Sequence, residues 1–132
     1  MIVLDASAVL DLLLGIPPHD TTVAGLIAAE APNIFAPHLL DVEVAQVIRR
    51  RVLGGTLRPA DATAALHTHS LLPIMRFAHL PFLDHAFALR DNATVYDALY
   101  LVLAESLGAT LITRDAALAA VPGTAARVRV LA

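Results

Sequence analysis

The stretch at residues 94–115, TVYDALYLVLAESLGATLITRD, constrains the fold more than any other part of the chain. Its first half predicts a buried helix, because apolar residues recur at helical spacing and extend almost all round the helix. The apolar stripe consists of Val95, Ala98, Leu99, Val102 and Leu103. Gly108 can adopt the left-handed conformation that ends such a helix, and Thr110–Thr113 is a short β-branched run typical of a strand. The stretch therefore predicts a helix followed by a buried strand.

Two acids in this stretch each have two possible roles. Asp97 falls in the first turn of the buried helix, and Asp115 comes just after the strand. An ionised carboxylate in such surroundings is costly unless a cation or a hydrogen-bond donor meets it, so both acids are candidate functional residues. The alternative is helix capping. Asp97 could close a capping box with Thr94, and Asp115 could cap a short helix over residues 116–120.

The length and composition predict one domain. At 132 residues with 58% hydrophobic content, the chain can bury a full core. No linker is visible, so we expect a single domain over residues 1–132. The sequence has neither a long uncharged apolar run nor a signal-peptide pattern, and we therefore expect a cytoplasmic protein without a membrane span.

The residue types present also limit the chemistry. Because the chain has no cysteine, any metal ion must be held by oxygen or histidine ligands. The net charge of −3 argues against a protein that coats DNA, but it permits a nuclease whose acids surround a metal ion. A hydrolytic enzyme with oxygen ligands is therefore compatible with the composition.

Strand and helix patterns alternate along the rest of the chain. Strands are predicted at residues 1–4, 33–36, 74–77 and 127–130, the last at an edge of the sheet. Helices are predicted at residues 6–14, 22–31, 39–53, 59–72 and 81–89. This alternation predicts an α/β fold, a three-layer α/β/α sandwich with a mostly parallel central sheet.

Polar residues in the first two thirds of the chain differ in their expected roles. Asp5 directly follows the first strand and Ser7 comes two residues later, although a serine at that place is most often a helix cap. Glu43 lies near the start of its helix and could reach the same sheet edge, or it could simply face solvent. His67 and His69 are two residues apart and point away from each other on a helix, so we expect both on the surface.

Four acids can converge at one edge of the predicted sheet. They are Asp5, Glu43, Asp97 and Asp115. Ligands of open α/β sheets bind beyond the carboxyl ends of the strands, where these acids are expected to lie. Grouped carboxylates repel one another unless protons or divalent cations are present, and hard oxygen ligands favour magnesium or manganese. Such ions promote phosphodiester hydrolysis by lowering the pKa of water and stabilising charge on the phosphoryl group, which is the predicted chemistry.

Several segments carry a family resemblance. They are IVLDASAVL, DVEVAQVIRRRVLGG, YDALYLVLAESLGATLITRD and the closing apolar strand. In this order the chain resembles the PIN-domain ribonucleases, most closely the VapC-type toxins of bacterial toxin–antitoxin pairs. The resemblance implies an acidic quartet of catalytic and metal-binding residues, namely Asp5, Glu43, Asp97 and Asp115. It also implies that Ser7 and Thr113 are supporting hydroxyls.

The same resemblance implies a cofactor and partners. These are Mg²⁺ with Mn²⁺ as a substitute, an RNA substrate, a second copy in a homodimer and an inhibitory cognate antitoxin. One residue departs from the family pattern, because Gln46 stands where many relatives carry Asn. This departure concerns local hydrogen bonding and leaves the quartet complete.

Other functions stay open at this point. A PIN nuclease outside a toxin–antitoxin system would share the quartet. A phosphoacceptor signalling domain also places acids at strand ends, but the family that it would resemble needs a lysine near the site and this chain has none. A non-catalytic binding module would keep the fold and lose a ligand, whereas all four acids are present.

Overall fold

The centre of the protein is a five-stranded sheet in which all neighbouring strands are parallel. The computed structural model describes residues 1–132. Its strands are β1 (Ile2–Leu4), β2 (Ile34–Pro37), β3 (Met75–Phe77), β4 (Thr110–Thr113) and β5 (Arg127–Val130). They lie in the order β3-β2-β1-β4-β5. The predicted parallel α/β sheet is confirmed, and β5 is an edge strand as expected.

Seven α-helices connect or flank the strands. They are α1 (Ala6–Leu13), α2 (His19–Glu30), α3 (Leu39–Leu53), α4 (Pro59–Leu71), α5 (Leu83–Ala88), α6 (Val95–Leu107) and α7 (Ala116–Ala119). A 3₁₀ turn at Leu80–Phe82 precedes α5, so the helix predicted over residues 81–89 is shorter than expected and Pro81 lies in this turn. No helix has the length and apolar character needed to cross a membrane.

Helices cover both faces of the sheet, which confirms the three-layer arrangement. Alternate side chains of β1 point to opposite faces, so that Ile2 and Leu4 join one apolar cluster and Val3 joins the other. The first cluster includes residues of α1 to α4, and the second includes residues of α5, α6 and α7. The inner strands β1, β2 and β4 are therefore buried on both sides, as is typical of a parallel sheet.

Helix α6 is the most deeply buried helix. Every residue from position 98 to position 104 is buried, which matches the apolar surface predicted almost all round it. Full burial of a side chain such as Leu101 or Leu103 contributes roughly 1.5–3 kcal/mol. Thr94 caps the N-terminus of α6, and Gly108 ends the helix in the left-handed conformation, with φ at 64°. Both ends of α6 are thereby defined by local sequence.

The expectation that His69 lies on the surface is wrong, whereas His67 is exposed as expected. His69 is only 5% exposed because it lies on the same face of α4 as Ala62 and Ala65, which packs inward. Its Nε2 lies 2.6 Å from Oδ1 of Asp41. A carboxylate partner of this kind allows a histidine to be buried among apolar residues.

Asp41 joins His69 to a third group, Arg76 of β3. Nη2 of Arg76 donates to Oδ1 of Asp41 at 3.0 Å. Burial by itself raises the pKa of Asp41, but the hydrogen bonds and charges of Arg76 and His69 outweigh burial and lower it. This ion-pair cluster links α3, α4 and β3, and it does not include any of the four candidate acids.

Candidate active site

Asp5 is held at the end of β1 by three hydrogen-bond donors. Its Oδ1 accepts hydrogen bonds from Oγ of Ser7 at 2.6 Å and from the backbone N–H of Ala8 at 3.1 Å. Its Oδ2 accepts a hydrogen bond from Oγ1 of Thr113. Asp5 is 6% exposed, and burial raises the pKa of this carboxyl although the three hydrogen bonds lower it. The site thus begins with a buried and rigidly oriented acid.

Ser7 and Thr113 join the ends of β1 and β4 at Asp5. Oγ of Ser7 accepts a hydrogen bond from the backbone N–H of Arg114 at 2.9 Å, and Oγ1 of Thr113 accepts one from the backbone N–H of Asp115 at 2.9 Å. The N-cap of α1 is Asp5 itself, so the interpretation of Ser7 as the helix cap is wrong. Both hydroxyls predicted to have a supporting role contact Asp5.

Glu43 on α3 is held by a tyrosine of α6. The hydroxyl of Tyr100 donates to Oε1 of Glu43 at 2.6 Å, and Tyr100 is only 2% exposed. Burial raises the pKa of Glu43, as do the charges of Asp97 and Asp5, whereas the hydrogen bond from Tyr100 lowers it. Glu43 is therefore half-buried in the site rather than on a solvated face of its helix.

The hydroxyl of Tyr100 is a permanent donor in this pair. Burial and the neighbouring charge of Glu43 raise the pKa of Tyr100 far above its ordinary value, so the hydroxyl keeps its proton at neutral pH. Oε1 of Glu43 accepts this hydrogen bond, whereas Oε2 has no hydrogen-bond partner within the chain.

Asp97 and Asp115 lie at the N-termini of two helices. Oδ1 of Asp115 accepts a hydrogen bond from the backbone N–H of Ala117 at 2.9 Å, so Asp115 caps α7. Oγ1 of Thr94 accepts a hydrogen bond from the backbone N–H of Asp97 at 3.1 Å, which is the threonine half of the expected capping box. Burial raises the pKa of Asp97, and the charges of Asp115 and Asp5 raise it further.

No cation offsets the charge of these four carboxylates. None of the ion pairs in the chain includes Asp5, Glu43, Asp97 or Asp115. The adjacent Arg114 is directed elsewhere, because its Nη1 lies 3.1 Å from Oδ1 of Asp11. Asp11 is 2% exposed and also lies 2.7 Å from Nδ1 of His19. The four acids therefore repel one another, and this pocket lacks positive charge of its own.

Comparison with known proteins identifies the family. A family model for the PIN domain matches residues 2–123. The chain belongs to the PIN-domain family. Within the family it is similar to a Mycobacterium tuberculosis protein named Ribonuclease VapC1, with 39% identity over 130 residues that cover 98% of this chain and 96% of that protein.

Solved structures support the same fold. The crystal structure of PAE2754 from Pyrobaculum aerophilum matches this PIN domain with a TM-score of 0.73 and 26% identity, covering 96% of this chain and 89% of the other. The structure of VapBC2 from Rickettsia felis, bound to a DNA fragment from their promoter, matches with a TM-score of 0.72 and 14% identity, covering 98% of both chains. At 14% identity, the second match shows only that the two proteins share a fold.

The donor set of this PIN domain fits a hard divalent cation. All four candidate ligands are carboxylates, and a bound cation would relieve the repulsion that adds to burial in raising the pKa values of Glu43 and Asp97. No three Asp, Glu or His side chains lie close enough to enclose an ion by themselves. Such an open arrangement suits magnesium, which proteins commonly hold through one or two carboxylates together with water and substrate phosphate.

Two polar residues that shape the site were not predicted from the sequence. Tyr100 sits in the buried stripe of α6, and a buried tyrosine hydroxyl usually has a hydrogen-bond partner, which was the available signal. Asp11 is an acid within the apolar helix α1, and its burial required cationic partners in the same way. Neither partner could be named, because Glu43 and Arg114 are distant from them in sequence.

Proposed function

We propose that the protein is a divalent-metal-dependent endoribonuclease that acts as the toxin of a toxin–antitoxin pair. The observation that carries this proposal is the convergence of Asp5, Glu43, Asp97 and Asp115 without a counter-cation in a PIN domain. Its relative at 39% identity is named a ribonuclease. Magnesium is the proposed ion and manganese its substitute, because both prefer carboxylate oxygens.

The chain's own residues prepare the site for hydrolysis of an RNA phosphodiester. A bound ion would lower the pKa of a water molecule and offset negative charge on the phosphoryl group. Ser7 and Thr113 hold both oxygens of Asp5 in place before the substrate arrives, so little reorganisation is needed. Tyr100 holds Oε1 of Glu43 and thereby fixes the orientation of that carboxylate. Asp97 and Asp115 complete the negative pocket.

A homodimer, a cognate antitoxin and a cytoplasmic location are proposed on the strength of the family. The distant Rickettsia felis relative is a VapBC2 pair. In this chain the cation-free acids offer a complementary site for an arginine or lysine of an antitoxin, since charge-assisted hydrogen bonds are among the strongest available. A structure of the complex with no basic side chain near Asp5 or Asp97 would contradict this mode of inhibition.

Cleavage assays test the proposed reaction. The purified protein should cut single-stranded RNA with magnesium or manganese and lose this activity in excess EDTA. Asp97→Asn keeps the shape of the side chain and removes its charge, and we expect a loss of about a hundredfold or more in kcat. Asp84→Asn is the matched control, because Asp84 is an exposed acid in the first turn of α5.

Two results would contradict the proposal. Cleavage that continues undiminished in EDTA would exclude the divalent ion. Normal activity of Asp97→Asn, with its fold verified by circular dichroism, would reduce Asp97 to a helix-terminal residue without a catalytic role.

A further inference from the structure

A surface cavity adjoins the candidate active site at Glu43. Its volume is about 450 Å³, which lies within the range of roughly 300–1,000 Å³ that is typical of small-ligand sites. Besides Glu43, its polar lining consists of Gln46, Arg50 and Tyr96, contributed by α3 and by the first turn of α6. The cavity therefore shares one wall with the acids and extends away from them.

The α3 wall of this cavity changes from negative to positive charge along the helix. Glu43, Gln46 and Arg50 follow one another at spacings of three and four residues and so share one face of α3. At 1.5 Å per residue, Arg50 lies about 10 Å along the helix axis from Glu43. Arg50 is exposed and takes part in no ion pair. An unpaired guanidinium thus projects from a position about two helical turns away from Glu43.

The opposite wall carries an unpartnered aromatic ring. Tyr96 directly precedes Asp97 in α6 and is 62% exposed. It forms no aromatic pair and no cation–π contact, in contrast to Phe35 with Phe77 and Phe87 with Arg90. Exposed aromatic faces beside positively charged groups are the common means of binding single-stranded nucleic acid, because every base can stack on them.

We propose that this cavity is a subsite for one nucleotide of single-stranded RNA next to the cleaved bond. Arg50 binds the phosphate of that nucleotide, since a guanidinium matches the geometry of phosphate oxygens. Tyr96 stacks on its base, and the amide of Gln46 hydrogen-bonds between them. The distance of Arg50 from Glu43 makes this phosphate a different one from the phosphate that is hydrolysed.

Gln46 belongs to this cavity and not to the group of acids. It lines the cavity and makes no hydrogen bond to the four acids. Its amide is therefore available to the proposed nucleotide. The proposal rests on the proposed ribonuclease function, because it assigns the cavity to the same substrate.

Binding measurements separate this subsite from general attraction to RNA. The probe is fluorescein-labelled single-stranded RNA of mixed sequence, titrated with magnesium present in an Asp97→Asn background that suppresses cleavage. Arg50→Gln and Tyr96→Ala should each raise Kd by about tenfold. Arg49→Gln is the matched control, since Arg49 is exposed on the same helix but lines a different cavity. Arg49→Gln and Tyr96→Phe should change Kd by less than about twofold, because the former leaves the subsite intact and the latter keeps the aromatic ring.

Salt dependence and kinetics provide further readouts. Loss of one phosphate contact should lower the slope of log K against log salt by about 0.7 in Arg50→Gln and leave it unchanged in Arg49→Gln. With Asp97 restored, Arg50→Gln should raise KM about tenfold and leave kcat within about twofold, because binding away from the reacting phosphate is lost.

Each other outcome is decisive. Equal effects of Arg49→Gln and Arg50→Gln, or unchanged RNA binding by Tyr96→Ala, would overturn the subsite. The subsite would also be overturned if Arg50→Gln or Tyr96→Ala changed the oligomeric mass measured by sedimentation without changing RNA affinity. A second copy of the chain would then cover this face. If the binding pattern holds but the wild-type protein cleaves no RNA, the proposed function fails and the subsite stands. If cleavage proceeds with KM unaffected by both substitutions, the subsite alone fails.

Discussion

Tyr100→Phe isolates the hydrogen bond that holds Glu43. The hydroxyl of Tyr100 lies 2.6 Å from Oε1 of Glu43, and the ring is buried, so phenylalanine keeps the packing and removes the donor alone. A hydrogen bond to a charged group contributes about 1.5–3 kcal/mol. Because Glu43 is only half-buried and water can replace part of this bond, we expect the free energy of unfolding to fall by about 1–2 kcal/mol. For a domain of this size, that corresponds to a Tm lower by about 4–7 °C.

The size of this loss should depend on pH. The hydrogen bond from Tyr100 lowers the pKa of Glu43, so its removal raises that pKa further above the ordinary value. A carboxyl whose pKa is raised in the folded state destabilises the fold as pH rises from the unfolded pKa through the folded one. The stability deficit of Tyr100→Phe relative to the wild type should therefore be small near pH 4 and complete at neutral pH.

Thermal and urea unfolding at about pH 4 and at about pH 7.5, either side of the carboxyl titration, measure this difference. Tyr96→Phe is the control, because it removes the only other tyrosine hydroxyl, which is exposed. In a Glu43→Gln background the neutral-pH cost of Tyr100→Phe should shrink, since an uncharged acceptor gains less from the donor. A stability cost of Tyr100→Phe that is the same at both pH values, or that does not exceed the cost of Tyr96→Phe, would refute this role of the Tyr100 hydroxyl.

Three further substitutions test a buried charge and the backbone conformation of two glycines. Asp11→Asn removes the buried charge that contacts Arg114 and His19. We expect the free energy of unfolding, measured by urea denaturation, to fall by about 2 kcal/mol. Unchanged stability would show that these contacts of Asp11 are dispensable. Gly108→Ala forces a side chain into the left-handed conformation at φ 64° and should cost about 1 kcal/mol, although no atom crowds the new methyl group. Gly25→Ala within α2, where space is also open, should instead stabilise by about 0.5–1 kcal/mol. Thermal melts showing the same sign for both glycine variants would contradict the conformational argument.

The fold was predictable where local rules agreed with one another. In the stretch from Thr94 to β4, helical periodicity, a capping threonine, a helix-ending glycine and a β-branched strand all favoured one structure, and the structure has it. The alternation of strands and helices likewise predicted the parallel sheet. Because the acids follow strands or open helices, their common edge could be inferred from topology alone.

The interactions within the site depend on contacts between distant segments. Tyr100 and Glu43 are 57 positions apart, and nothing near either residue specifies the other. The same reason explains His69, whose burial depends on Asp41 of another helix. Helix α2 begins at His19 and not at residue 22 as predicted. The side chain of His19 contacts the buried Asp11, which is a partner from another helix. Periodicity shows which face of a helix is apolar, but it does not show which polar residue gains a buried partner.

The central claim is that a divalent ion binds at the group of acids formed by Asp5, Glu43, Asp97 and Asp115, and magnesium-dependent stability tests it most directly. Burial raises the pKa values of Asp5, Glu43 and Asp97, and the charges of neighbouring acids raise those of Glu43 and Asp97 further. The metal-free protein should therefore lose stability from about pH 4 towards neutrality. At neutral pH, a hundredfold excess of magnesium over its Kd should restore about 2.7 kcal/mol.

The decisive comparison is the magnesium-induced shift in Tm, against EDTA, of the wild type, Asp97→Asn and Asp84→Asn. Without metal, Asp97→Asn should be at least as stable as the wild type, because a charge repelled by Asp115 and Asp5 is gone. With magnesium, its shift should be clearly smaller than the shift of the wild type and of Asp84→Asn. Equal magnesium shifts in all three proteins would contradict a metal site at these acids.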